Sequence, residues 1–340
     1  MTVEETEPAA VGELPGRRRI VIVAVGAVFW TWLVLRWAYH NSVLDGVFTA
    51  LGLPGLIRSE TTVTNREPWL PTGPFEAAAD VAADVSAALG PASDLTEWLV
   101  WLFDLLAFAI ESGPALAEGA YISVYLTIAS MFLGLLIAVP LSVARVYGGP
   151  VLSRVSLAYT ELIRGTPLLA QLFLLYYGLP LAGMIDSIGF VGGGPVPRAA
   201  IFVAIIGFTI NSSAYQSEYI RGALQSVDEG QLVAARSVGL SELQGIRHVV
   251  LPQGLRYAIP GWTNEFVYLI KYSSLAAFIA VPELFRQAQI IASDTFRTTD
   301  IYVVVAVLYL ALVLTTALAM ERVADAVALP GVGQVDQRDQ

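Results

Sequence analysis

Long apolar blocks separated by polar intervals organise the chain. The blocks at about 118–145, 155–180, 199–222, 256–281 and 301–322 each reach the ~20 residues that a helix needs to cross a bilayer, as does the run from Ile20 to Tyr39. Helices are required there because lipid offers backbone polar groups no partner. Arg17-Arg18-Arg19 precede the first run, and Trp30, Trp32, Trp37 and Tyr39 crowd its far end like an interfacial belt. A basic start and apolar core also fit a signal peptide. The run is longer than a signal core and no clean small-residue cleavage site follows, so a retained anchor over 20–39 is expected. The block 96–112 carries Asp104 and stops at Gly113-Pro114, too early for a further full core span.

The polar intervals are of different kinds. Residues 1–16 are acidic with prolines and glycines and read as a short disordered tail, within a cytoplasmic tail expected over 1–19. A second tail is expected over 326–340. The interval 41–97 is broken by Pro54, Pro68, Pro71, Pro74 and Pro91, with one Ala-rich helix predicted over 75–89 bearing Glu76, Asp80 and Asp84. It reads either as a solvated linker or as a contact point for a binding protein. Residues 181–197, with Gly192-Gly193-Gly194-Pro195, predict a loop.

The polar run Gly230 to Pro252 is more structured. Asp228 with Gln231 three residues on has the form of a capping box and predicts a helix over 229–238. Gly239 is placed for a left-handed stop. Ser241 with Gln244 opens a second short helix, with Pro252 just past its end. Ala234 and Ala235 are small enough for another surface to approach closely. The pattern fits an ordinary loop with two amphipathic turns, or a docking elbow for a soluble partner.

Polar residues inside spans are costly and mark cavities or partners. Asn211, Tyr215 and Glu218 recur at i, i+4 and i+7, and Asn264, Tyr268 and Lys271 repeat that spacing. Glu265 lies beside the second stripe and Ser274 one turn beyond Lys271. Two such stripes on neighbouring spans suggest a hydrated path between them, with Lys271 and Glu265 lining it or pairing to gate it; helix–helix hydrogen bonding is the other reading. Glu161 and Arg164 are expected to snorkel or pair near the end of the second span.

Composition narrows the class. The chain is 56% apolar and only 14% charged over 340 residues, where a soluble protein carries about 25% charged residues. Mean hydropathy is +0.64. The absence of cysteine excludes disulfides and thiolate sites, and His40 and His248 are too far apart in sequence to suggest a metal pair. A net charge of −10 argues against nucleic-acid binding. By compositional analogy, an acidic chain with one lysine fits a halophilic archaeal source. That lysine, Lys271, lies in an apolar span, so no phosphate-binding Gly-rich loop ending in Lys-Ser/Thr exists here. Any ATP-driven work must draw on another polypeptide.

Ala234-Ala235, Gly239, Leu251-Pro252 and their spacing resemble the EAA loop of ABC-importer permeases. Arg164-Gly165-Thr166-Pro167-Leu168-Leu169 with Gln171, Ala214-Tyr215 with Glu218, Gly230-Gln231-Leu232, Asn264-Glu265 and Lys271 with Ser274-Leu275 resemble the polar amino acid branch over about 116–325. Val233 stands where the motif has its Glu. The resemblance implies an all-α polytopic membrane protein, a type I permease bundle of five core spans plus the N-terminal anchor. It also implies a short interfacial helix over 96–112 within an extracytoplasmic linker, 40–115, and a coupling loop over 228–252 that seats in an ATPase subunit through Gly230, Ala234, Ala235, Gly239, Leu251 and Pro252. The implied partners are that cytoplasmic ATPase with its ATP and Mg, a second permease chain, identical or homologous, and an extracytoplasmic substrate-binding protein delivering a polar amino acid or similar small solute.

With the elbow inside, Arg145, Arg154, Arg221, Arg236, Arg247, Arg256 and Arg322 fall at the inner side and Arg198, Arg286 and Arg297 outside, a bias that supports this orientation and cytoplasmic termini. An ion-coupled secondary transporter would also place charge at mid-membrane. A channel has no need of the elbow, and an intramembrane enzyme finds neither HExxH nor cysteine here.

Overall fold

A computed structural model describes residues 24–31, 34–35, 47, 50–52, 68, 70–89, 94–189, 191–192 and 197–327. The expected tails, the cluster Arg17-Arg18-Arg19, and Trp32, Trp37 and Tyr39 of the aromatic belt lie outside these, apart from 326 and 327. The described residues form an all-α bundle.

Helix α1 (24–31) is the described part of the anchor. Trp30 Nε1 donates to Thr315 Oγ1 at 2.9 Å, and Gly26 lies so close to the Thr315 methyl that a Cβ would sit 2.7 Å from it. This part of the expected anchor run is thus packed on the last helix of the described residues.

Helices α2 (Gly73–Leu89) and α3 (Asp94–Tyr147) follow. The predicted Ala-rich helix is present as α2, lying against the first turns of α3. The separate interfacial helix over 96–112 is corrected, because α3 runs unbroken through Gly113-Pro114 for 54 residues. A proline inside a helix removes one hydrogen bond and costs about 3 kcal/mol. Neighbouring turns offset that cost by packing: Phe108, Leu116 and Ala120 are buried against Ile270, Leu284, Ala288 and Ile301.

The second expected span is two helices, α4 (Gly149–Arg164) and α5 (Leu168–Phe173), the latter continued by a π turn, Leu174–Gly178. The break falls at Gly165-Thr166-Pro167. Gln171 Nε2 closes it by donating to Ile163 O at 2.8 Å, Thr166 O at 3.1 Å and Thr166 Oγ1 at 2.8 Å. A one-turn helix, α6 (Leu181–Asp186), occupies part of the loop expected over 181–197.

Helix α7 (Ala199–Gln225) is the bundle's centre. Its Val203, Ala204, Ala214 and Ile220 are fully buried, and α3, α4, α6, α10 and α11 all pack on it. Beyond the elbow, α8 (Glu229–Ser237) and α9 (Glu242–Gly245), come α10 (Leu251–Tyr257) and α11 (Ile259–Tyr272). Helix α11 tightens into a 3-10 stretch, Ser273–Ile279, then bends by 50° into α12 (Leu284–Thr295). Helix α13 (Thr298–Val327) closes the bundle.

By length and hydropathy, α3, α7 and α13 each suffice to cross a membrane, and α11 with α12 passes the same test only as a bent pair, as a broken span or a re-entrant loop would. Glu283 fastens this break. It is fully buried, caps α12 through the N–H groups of Phe285 and Arg286, accepts from Tyr309 OH at 2.9 Å, and contacts Ser123 Oγ at 3.4 Å. One carboxylate thereby ties α3, α12 and α13. Nothing in the spacing of the sequence singled it out.

Candidate functional site

The elbow forms largely as its pattern predicts. The Asp228 side chain accepts from Gly230 N at 2.6 Å, one residue earlier than the expected box, while Gln231 N donates to Asp228 O. Gly239 ends the run with φ +91°, a conformation that a Cβ strains. Leu240 N then turns back to Ala235 O at 3.2 Å. The second box is complete: Ser241 Oγ accepts from Gln244 N at 3.3 Å and Gln244 Oε1 from Ser241 N at 2.9 Å.

The expected end of the second helix at Pro252 is corrected. Helix α9 passes through a π turn, Ile246–Val250, straight into α10. Pro252 sits at the start of α10, a position where a missing N–H does least damage.

The elbow has two faces. Ala235 and Gly245 are buried against each other, so that a Cβ on Gly245 would lie 2.8 Å from Leu232 Cδ1 and 3.4 Å from Ala235 Cβ. Ala234 is on the open side. Around it Val233 is 64% exposed, Val238 79% and Leu243 71%. Ile246 and Val250 are buried, and Val250 packs with Ile220, Leu224 and Val227. The elbow is therefore an exposed knob fixed to the end of α7, with Val233, Val238 and Leu243 interleaved with Glu229, Arg236 and Glu242 on its surface. His248 stays at its surface, with Nδ1 3.0 Å from Gln244 O. Beside it, a cleft of about 400 Å³ is lined by Glu218, Tyr219, Ser226 and Tyr257 among others.

The polar stripes do not face each other across a path. On α7, Asn211 is buried and donates to Gln171 Oε1 at 3.2 Å, extending the clasp of the α4–α5 break. Tyr215 lies under the Arg164 guanidinium at 5.3 Å. Glu218 pairs with Arg221 at 2.9 Å, and Arg164 lies 3.9 Å from Glu161, the local pair expected there. On α11, Asn264, Tyr268 and Lys271 form an exposed face, with Lys271 Nζ 4.7 Å from the Tyr268 ring centroid and Tyr272 stacked on Tyr268. Ser274 is half-buried and donates to Lys271 O.

Glu265 points elsewhere and is 4% exposed. The Lys271–Glu265 pair is thus corrected: six residues apart on a helix, the two side chains leave on different faces, and no ion pair joins them among the described residues.

Comparison with known proteins places these features. The model of the family described as "Binding-protein-dependent transport system inner membrane component" matches residues 130–328. A probable amino-acid ABC transporter permease, YckA of Bacillus subtilis, is 39% identical over 204 residues, covering 60% of this chain and 85% of that protein. The glutamine transport system permease GlnP of Escherichia coli is 36% identical over 209 residues, covering 62% of this chain and 91% of GlnP. A crystal structure of an amino acid ABC transporter with histidines aligns with a TM-score of 0.54 at 32% identity, covering 63% of this chain and 94% of that one.

Proposed function

The chain belongs to the family of binding-protein-dependent transport system inner membrane components, and from that premise we propose that it carries a polar amino acid, or a similar small solute, inward by alternating access driven by a separate ATPase. The observation that supports this most is the elbow. Its outward face presents Ala234 among the exposed Val233, Val238 and Leu243, with Arg236 and Glu242 beside them, while its inward face is locked to α7 and α10. A knob of this shape suits a groove on a cytoplasmic ATPase, and force applied to it reaches α7 directly.

ATP and Mg act on that partner. ATP binding there draws two ATPase subunits together, which moves two elbows and hence two permease chains. Nucleotide shifts the balance between inward-open and outward-open states only by its differential affinity for them; moving 1:99 to 99:1 takes about 5.5 kcal/mol. The exposed α11 face then lines the path between the two permeases. Lys271 supplies a cation for a substrate carboxylate, and Asn264, Tyr268 and Ser274 supply polar contacts beside it. On α7, Glu218 borders the inner cleft, Tyr215 lies against Arg164 and Asn211 holds Gln171, while Glu265 is buried on α11.

The test is co-purification from mild detergent, followed by uptake in vesicles. A tagged chain is expected to bring down an ATPase, and Ala234→Trp to lose it while the bundle stays folded. Retention of the ATPase by that variant overturns the elbow assignment. In the same vesicles, Lys271→Gln is expected to raise the half-saturating solute concentration at least tenfold without abolishing basal ATP hydrolysis. Unchanged uptake removes Lys271 from the path.

A further inference from the structure

Helix α3 is longer than any membrane requires. Its 54 residues span about 80 Å at ~1.5 Å per residue, against a hydrocarbon core of about 30 Å. Only its first turns, before Asp104, stand beyond the buried contacts of Phe108, Leu116 and Ala120, and α2 lies along them to make a helical hairpin. The hairpin precedes the residues that the family model matches, 130–328.

Its base is fixed. Arg297, in the turn between α12 and α13, reaches Asp104 at 2.5 Å and Asp300 at 2.8 Å, with its guanidinium 4.2 Å from the Phe108 ring centroid. Trp101 Nε1 donates to Asp300 at 3.1 Å. A partner seated on the hairpin would thus be joined mechanically to α12, the helix beyond the bend that Glu283 fastens.

The free side of the hairpin has a definite chemistry. Residues 67–117 contain eight acidic residues and no Lys, Arg or His, and of these Asp104 is paired with Arg297. Glu76, Asp80 and Asp84 repeat every four residues along α2 and are all exposed. Between the helices runs an open groove of about 650 Å³, with Ala83, Ala87, Val100 and Trp101 along it and Glu97 and Asp104 at its edges. Trp98 is 56% exposed beside it. An aromatic anchor beside the exposed acids of α2 is the composition of a protein-docking surface. A second copy of the chain would bring the same negative face and be repelled, and so would an anionic lipid surface.

We propose that this hairpin is the docking mast for the extracytoplasmic binding protein, which meets it with a basic face and seats a side chain in the Trp101 groove. The inference rests on the orientation in the proposed function, with the elbow inside and the hairpin outside.

The experiment uses the complete permease–ATPase complex in nanodiscs, with its binding protein titrated in and ATP hydrolysis followed. The probe variant is Glu76→Lys with Asp80→Lys and Asp84→Lys, all on the exposed side of α2. The expected result is a rise of tenfold or more in the binding-protein concentration giving half-maximal stimulation, with basal and maximal rates unchanged. The triple change to Gln, Asn and Asn is expected to give a smaller rise, and raised salt to weaken the wild-type interaction. An unchanged half-point in the Lys variant overturns the mast, provided that label pairs between α2 and α3 show the hairpin still folded. If the Lys variant unfolds the hairpin, the neutral variant decides by the same criterion. A wild-type complex that no binding protein stimulates would instead overturn the functional reading on which the mast depends.

Discussion

Ala234 and Ala235 are adjacent in sequence and read alike, as two small residues that let another surface approach. Structure divides them: Ala235 is 5% exposed and packs on Gly245 inside the elbow, whereas Ala234 faces outward between Val233 and Val238. Enlarging each should therefore fail in a different way. Ala235→Leu overpacks the contact with Gly245 and Leu232 and should lower stability by about 1–3 kcal/mol, visible as an earlier melt and faster proteolysis at the elbow. Ala234→Leu should leave the melt within about 0.5 kcal/mol and reduce ATPase-coupled uptake. Equal melts for the two variants would show that the faces are misassigned. Val233 fits the same division. It stands where the resembling loops carry an acid, and at 64% exposure it adds apolar surface to the outward side of the elbow.

At the scale of elements, sequence signals that act locally were legible. The Ser241–Gln244 box, the stop at Gly239 and the Ala-rich α2 all follow from residues within a few positions of each other. Signals that depend on distant packing were not. Gly113-Pro114 reads as a stop until Phe108 and Leu116 are seen buried against α12 and α13. The two polar stripes share a spacing, yet only packing shows that Asn211 serves Gln171 while Tyr268 and Lys271 stay exposed. The continuity of α3 can be measured directly, because the chain has no cysteine to compete with introduced labels. Spin labels at Trp98→Cys and Ile128→Cys, both exposed positions, lie 30 residues apart. An unbroken helix places them about 45 Å apart, at ~1.5 Å per residue. A helix that stops at Gly113-Pro114 and turns gives a markedly shorter distance.

At the scale of the whole molecule, the exposed face of α11 has an unusual character for a membrane-spanning segment. Asn264, Tyr268, Lys271 and Tyr272 all lie open on one side of it. A lysine near mid-span facing lipid costs about 2.5–3.5 kcal/mol or more, so this face is better served by protein and water than by hydrocarbon. The face that α3 presents with Ile128, Phe132 and Leu136 is apolar throughout and suits lipid. In the proposed assembly, a second permease would therefore seat against α11 and not against that face of α3. If the second chain is identical, two-fold symmetry brings equivalent positions near the axis close to themselves. Asn264→Cys and Tyr268→Cys are then expected to give disulfide-linked dimers on mild oxidation of the intact complex, with yields that change when ATP is added. Phe132→Cys should remain monomeric. If the second chain is a homologue, the α11 variants link only to an introduced cysteine on that chain, which distinguishes the two assemblies in one gel. Cross-linking through Phe132 with none through α11 would place the partner on the other face and take Lys271 out of the path.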